Sequence, residues 1–332
     1  MQIKFANWQK KSCALAYVKK KLYLCSRIRL HNYVHMKNIA FIINPISGGK
    51  ELQSAKRKLP KLIMQSLDAE QWLPNIAFTE YAGHAVELAH QYARMGFEAV
   101  VAVGGDGTVN EVARGVRDSR TALGIIPMGS GNGFARHLNI PMRPQKAIEM
   151  INHSEPISVD YGLANGKLFV STCGTGFDAL IADHFAGSNK RGFATYLQNI
   201  LKDAFSYQPQ TYHLIGDGLD VTHKAFLITF ANANQWGNDA LIAPKASVQD
   251  GKMDIMLMSS HALLGSASLA LRLFAGSIDD SHFMDTIRAK EVTLEREEVA
   301  PFHLDGDPVE MEKDIHIRIV ADGLRVLVEK RF

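Results

Sequence analysis

What the chain has little of narrows it first. Its 332 residues hold three cysteines, Cys13, Cys25 and Cys173. That is too few and too scattered for a disulfide framework or a cysteine zinc site, so a reducing, cytoplasmic compartment is expected. No run of 18 residues is free of charge, so no transmembrane helix is expected. The nearest stretch, His261 to Ile278, is interrupted by Arg272. Internal repeats and low-complexity segments are absent. Acidic residues are missing before Glu51, whereas residues 1–35 hold eight Lys or Arg. Of the 37 basic and 34 acidic residues, the remainder of the chain therefore carries 29 against 34, a net −5. An acidic body argues against nucleic acid as a partner.

The basic segment 1–35 also carries Trp8, Tyr17, Tyr23 and Tyr33. It reads either as a disordered extension ahead of a start at Met36 or as an arm for anionic lipid. Its apolar stretch is too short for a signal peptide.

What is present is a strand–helix alternation. "NIAFIINP", "NIAFTE", "EAVVAVGG" and "TALGIIPM" read as strands, with helices over about 51–67, 83–96 and 108–118 and another after Gly133. This pattern predicts a parallel, doubly wound α/β domain over 36–158, with ligands beyond the carboxyl ends of its strands. After about residue 158, short β-like runs dominate: 157–164, 167–174, 225–233, 252–259, 291–297 and 315–330. They predict a mostly antiparallel β-sandwich domain over 159–322, and the last segment, about 323–332, is a candidate to return to the first domain. Helices are expected near 193–205 and 262–274. The site is expected in the cleft between the domains.

Three glycine turns fall at predicted strand ends: "NPISGGK", "GGDGTVNE" and "PMGSGNG". One such turn is weak evidence; three suggest a shared anionic ligand approached by backbone amides. Neither the Walker spacing nor GxGxxG fits. Thr108 and Glu111 have capping-box spacing, which would start a helix just after the second turn. Asp106 stands among the glycines, where a phosphate would be repelled unless a cation lay between them.

These turns, with "TEYAGHA", "CGTGFDA", "IAPKASVQDGKMDI" and "HLDGDP", resemble the diacylglycerol kinase catalytic domain family, which includes bacterial soluble lipid kinases and sphingosine and ceramide kinases. The resemblance runs from about Met36 to the C-terminus. It implies an NAD-kinase-like first domain and phosphoryl transfer from ATP, with Mg²⁺, to the hydroxyl of a lipid alcohol met at the membrane surface. A homodimer stays open.

Residue by residue, the resemblance implies nucleotide contacts at Asn44, Pro45, Ile46, Ser47 and Gly48, at Thr79, at Gly104, Gly105, Asp106, Gly107, Thr108, Val109 and Asn110, and at Ser130. Asp106 would serve the cation. Asp250, with backbone atoms of Ser247 and Lys252, resembles the family's structural magnesium site, although Asp-Gly is also a plain turn signal. The family's base is the Glu of Asp-Gly-Glu-Pro; here Asp307 takes that place, one methylene shorter, so Asp305 is held as a possible sharer of the role. Gly133 departs from the Asp found in many bacterial diacylglycerol kinases, which weakens diacylglycerol as the specific acceptor. His84 and His303 are expected to be structural, His84 opening a helix and His303 on a strand edge. The stretch 261–278, with Leu263, Leu264, Leu269, Leu271 and Phe274, reads as a core helix or a lipid-facing one. A soluble-substrate kinase of the NAD-kinase type is the first alternative, although its Thr-Pro-Thr-Gly-Ser segment is missing. A non-catalytic binder of the same fold is the second.

Overall fold

The computed structural model describes residues 36–46, 54–177, 179, 207–259 and 266–330. The basic segment 1–35, Ser47 and Gly48, the helix expected near 193–205, and Leu263 and Leu264 lie outside them.

The first domain is built on four parallel strands, β1 (Lys37–Ile43), β2 (Trp72–Phe78), β3 (Ala99–Gly104) and β4 (Ala122–Pro127), in the order β4-β3-β1-β2. Ile39 to Ile43 and Ala99 to Val103 are wholly buried. Such unbroken apolar runs belong to strands covered on both faces. The covering helices are α1 (Leu59–Ser66), α2 (His84–Arg94), α3 (Asp106–Val116), the single turn α4 (Gly133–His137) and α5 (Pro144–Ile151). The chain crosses α2 over α3 closely: a β-carbon on Gly115 would lie 2.5 Å from that of Ala89.

The second domain comprises β5 (Ser154–Ala164), β6 (Lys167–Phe169), β7 (Thr172–Gly176), β8 (Gln210–Gly216), β9 (Leu219–Ala231), β10 (Met253–Ser259), helix α6 (Ser266–Ala275), β11 (Met284–Ala289), β12 (Glu291–Arg296), β13 (Phe302–Leu304), β14 (Asp307–Val309) and β15 (Ile315–Glu329). All but one of its strand pairings, that of β15 with β4, are antiparallel. Phe169, Tyr212, Phe230, Leu294, Phe302 and Ile317 fill its core. This is the two-domain α/β and β-sandwich architecture expected, joined through one continuous hydrogen-bonded sheet.

The join is made by β5 and β15. Residues 317–320 of β15 pair with β5 inside the second domain; after a register shift at 321–323, Leu324–Glu329 pair with the first half of β5, and Val326 meets Leu123 of β4 in parallel. In α6, Leu269 is buried, while Leu271 is 75% and Phe274 54% exposed. The helix is therefore half core and half apolar surface. Among the described residues no helix is long and apolar enough to cross a membrane.

Candidate active site

Parallel strands deliver their carboxyl ends to one side of the sheet, and the glycine turns gather there. Asn44 follows β1, donates its amide to Val103 O (3.1 Å), closes a turn by accepting the Ile46 amide (3.1 Å), and donates Nδ2 to Thr108 Oγ1 (3.3 Å). Thr79 follows β2 and donates to Ile43 O (3.0 Å). Pro45, Ile46 and Ser130 reach toward solvent, whereas the Thr108 and Val109 side chains are buried. At Val109 only backbone is left to face a ligand.

Besides baring backbone amides, the glycines let the turns pack closely on their neighbours. A β-carbon on Gly104 would lie 2.3 Å from Thr108 Oγ1, and one on Gly129 would lie 2.4 Å from the α-carbon of Gly105. One on Gly133 would lie 3.1 Å from Gln235 O and 3.2 Å from Gly237 N. Gly105, Gly129 and Gly133 let the loops pack backbone against backbone, whereas Gly104 and Gly131 make room for the Thr108 and Asp106 side chains. At Gly107 the missing β-carbon would point at Asp307 Oδ2, 3.0 Å away.

The expected capping box does not form. Helix α3 starts at Asp106, two residues before Thr108, and neither residue caps it. Glu111 instead accepts the amides of Gly83 (3.0 Å) and Ala85 (3.2 Å), so it caps the neighbouring helix α2. His84 opens α2 as expected, with its ring stacked on Tyr81. His303 is buried in β13 between β7 and β14 rather than exposed on an edge.

Asp305 and Gly306 both have positive φ, 51° and 85°, and join β13 to β14 as a two-residue hairpin. This is the backbone that Asp-Gly favours. The Asp305 carboxylate accepts four N–H groups: the amides of Val170 (2.9 Å), Ser171 (2.7 Å) and Thr172 (3.1 Å), and Asn110 Nδ2 (2.8 Å). Asn110 also donates to Leu168 O. Asn110 and Asp305 thus pin the hairpin of the second domain to a helix of the first and set Asp307 opposite Gly107. With its lone pairs filled, Asp305 has none free to reach a substrate hydroxyl. Burial raises its pKa above the ordinary carboxylate value, and the four donors offset only part of that rise. Asp307 retains solvent contact on the cleft side; the surrounding protein, then Asp305 and Glu111, push its pKa up.

Asp106 sits at the positive end of α3. Its Oδ2 accepts the Asn132 amide (2.8 Å), which binds the second glycine turn to the third, while Oδ1 is buried without a partner. Burial, with Asp305 nearby, pushes its pKa up to about 6. A buried, unsatisfied carboxylate oxygen fits a cation or its water. Among the described residues no three His, Cys, Asp or Glu side chains gather to hold a metal. Mg²⁺ here would need phosphate oxygens as further ligands, which is its usual habit with nucleotides.

The expected structural cation site does not fit a metal as it stands. Asp250 is paired through Oδ2 with the Arg288 guanidinium and accepts the Lys252 amide on Oδ1 (3.1 Å), while Ser247 Oγ accepts the Gln249 amide (3.3 Å). The oxygens exist, but a guanidinium takes the cation's place.

Sequence reasoning missed Glu111 as the α2 cap, Asn132 as the lock of the third turn, the Arg136–Asp239 pair (2.8 Å) across the cleft, and the loop 235–237 packed on Gly133. Gln235 Oε1 and Trp236 Nε1 on that loop are buried and unpartnered among the described residues. All depend on which loops become neighbours. Only Asn132, in a glycine-rich turn at φ 54°, carried a local signal.

Comparison with known proteins agrees with this arrangement. Residues 38–164 match the diacylglycerol kinase catalytic domain, and residues 171–328 match the YegS C-terminal NAD kinase beta sandwich-like domain. A Chromohalobacter salexigens protein named "Probable lipid kinase YegS-like" is 30% identical over 70% of this chain and 77% of its own. A Bacillus subtilis protein named diacylglycerol kinase is 29% identical over 82% and 90%. A Bacillus anthracis crystal structure shares the fold with a TM-score of 0.72 at 23% identity, covering 87% of this chain and 96% of that one. The chain belongs to the diacylglycerol kinase catalytic domain family, in the two-domain form of the YegS-like lipid kinases.

Proposed function

We propose that this protein transfers the γ-phosphoryl group of ATP to the hydroxyl of a lipid alcohol, working from the cytoplasm at the membrane surface. The observation that carries the reading is the Asp307 carboxylate held opposite Gly107, at the amino end of α3. Nucleotide phosphates would meet the free amides at the start of α3, with Asn44 and Ser130 supplying side-chain donors and Thr79 lying toward the base. Mg²⁺, when bound with the nucleotide, supplies charge neutralisation on the transferring group, with Asp106 Oδ1 as its protein ligand.

Asp307 then accepts the proton of the lipid hydroxyl, its oxygen bonds to the γ-phosphorus, and the bridging oxygen leaves with its electron pair on ADP. A base raised above the ordinary carboxylate range matches this task, provided it remains ionised at working pH. Asp305 acts through Asn110 and the 170–172 amides by fixing where Asp307 stands. The exposed Leu271 and Phe274 of α6 suit contact with acyl chains at the membrane.

The test is a panel of dispersed diacylglycerol, monoacylglycerol, sphingosine, ceramide and undecaprenol with labelled ATP and magnesium. A phosphorylated lipid is expected from at least one of them. Labelled product from NAD, and from no lipid, would replace this reading with the soluble-substrate kinase.

A further inference from the structure

The turn at Asp250 is anchored from behind before any cation is considered. Buried Asp160 accepts the Gly251 amide (2.7 Å) on one oxygen and the Asp322 amide (2.9 Å) on the other, fixing the turn against the β15 irregularity. In front, Asp250 faces Asp254, which is only 4% exposed. Asp279 lies close enough to raise the Asp254 pKa further. Two carboxylates side by side, one nearly buried, need a positive partner. The β10–β11 register supplies it: Asp254 stands directly opposite Arg288. Arg288 Nε donates to Asp254 Oδ1 (2.8 Å) and its Nη2 to Asp250 Oδ2. A further cation nearby, Lys245, is spent on Asp279 (2.7 Å).

We infer that Arg288 is the resident cation of this turn, standing where a divalent metal ion would otherwise bridge Asp250 and its neighbours. A planar guanidinium offers two donors at fixed spacing, enough to serve both carboxylates at once. A metal ion would have to displace it and leave it without its partners. Second-domain stability is therefore independent of divalent metal at this turn. Removing Arg288 turns the turn into an acidic site that a metal can enter. This inference concerns folding and stands apart from the phosphoryl-transfer reading.

The experiment is thermal unfolding of the full chain without nucleotide, in EDTA, Mg²⁺ or Ca²⁺ at matched ionic strength. For the wild type, no metal-dependent shift belonging to this turn is expected. Any response arising at Asp106 is recognised because it survives Asp250→Asn. Arg288→Met is expected to melt lower in EDTA and to recover by about 2–4 °C with millimolar Ca²⁺. Adding Asp250→Asn to that variant should erase the recovery. If Arg288→Met does not fold in EDTA, refolding from denaturant replaces melting as the readout, and recovery with Ca²⁺ alone supports the inference. A wild-type metal response that Asp250→Asn abolishes overturns it, as does an Arg288→Met variant indifferent to metal in melting or refolding.

Discussion

Asp305 and Asp106 lie in the same cleft, both half-buried and both raised in pKa, yet they are answered in opposite ways. Asp305 receives four N–H groups drawn from two domains. Asp106 receives the Asn132 amide on one oxygen, and its other oxygen makes no full hydrogen bond, although the Phe134 and Gly133 amides lie near enough to lower its pKa. A buried charge surrounded by donors is part of the framework. One left half-satisfied is costly unless something else completes it, and on the proposed reading that is the nucleotide's cation. Asp307 makes a third case: it is not held by the amides that grip Asp305, and it faces Gly107 across the cleft.

The largest effect should come from the saturated carboxylate. Asp305→Ala strands three backbone amides and the Asn110 amide, each worth about 1–3 kcal/mol when buried and unpaired. A loss on the order of 5 kcal/mol is expected, read as a fall in the urea midpoint, with ATP binding lost in parallel. A change below about 1 kcal/mol would mean that water replaces the carboxylate and that Asp305 is not framework. Asp307→Asn should behave in the reverse sense. Turnover is expected to fall by about 10²–10⁴-fold, while stability stays within about 0.5 kcal/mol and ATP still binds. Undiminished turnover would remove Asp307 from the chemistry.

The contrast between these carboxylates could not be read from the chain, although much around them could. β1, β3 and β4 were legible because each is an unbroken apolar run; the Asp305-Gly306 hairpin carried the Asp-Gly signal but was read only as a family motif. Helix α5 was missed despite Pro144 in its first turn, a recognised start signal. β8 and β11 were missed although the runs of their partners β9 and β10 were read, because which segment pairs with which is settled only in the fold. The motif residues of the site were legible as a set; their division of labour was not. That Gly105 is a glycine because Gly129 presses on it follows from β3 lying beside β4. That Glu111 caps another helix follows from the α2–α3 crossing.

Asp106 sharpens the comparison through pH. Its carboxyl is raised from 3.8 to about 6 in the folded protein. The folded state therefore binds this proton more tightly than the unfolded state. The group costs nothing below about pH 4, and its cost grows as pH rises to about 6. Above that the full penalty applies, about 3 kcal/mol at 1.36 kcal/mol per unit. Asp106→Asn keeps an oxygen for the Asn132 amide and removes the charge. Without nucleotide or magnesium, the variant should match the wild type near pH 4 and exceed it by up to about 3 kcal/mol at pH 7, measured by urea unfolding. Magnesium-dependent turnover should collapse in the same variant. A stability difference that does not change with pH would return Asp106 to a purely structural role.

The smallest effect concerns the loop that faces these carboxylates. Where many relatives are expected to carry Asp, Gly133 lies against the backbone of 235–237, and a β-carbon would sit 3.1–3.2 Å from three of its atoms. That spacing is tight but can yield by a few tenths of an ångström if the loop shifts. What resists the shift is Arg136, which grips Asp239 with two hydrogen bonds (2.8 and 2.9 Å) and also donates to Gly131 O. Gly133→Ala should therefore cost about 1–2 kcal/mol, the range for mild overpacking. Asp239→Ala, which exposes little, should cost about 0.5 kcal/mol or less. If the latch holds the loop in place, the double variant should cost less than the sum, because a released loop gives way to the added methyl. Strict additivity would show that the loop is held by its own left-handed residues, Gly237, Asn238 and Asp239, and that Arg136 contributes nothing to where it sits.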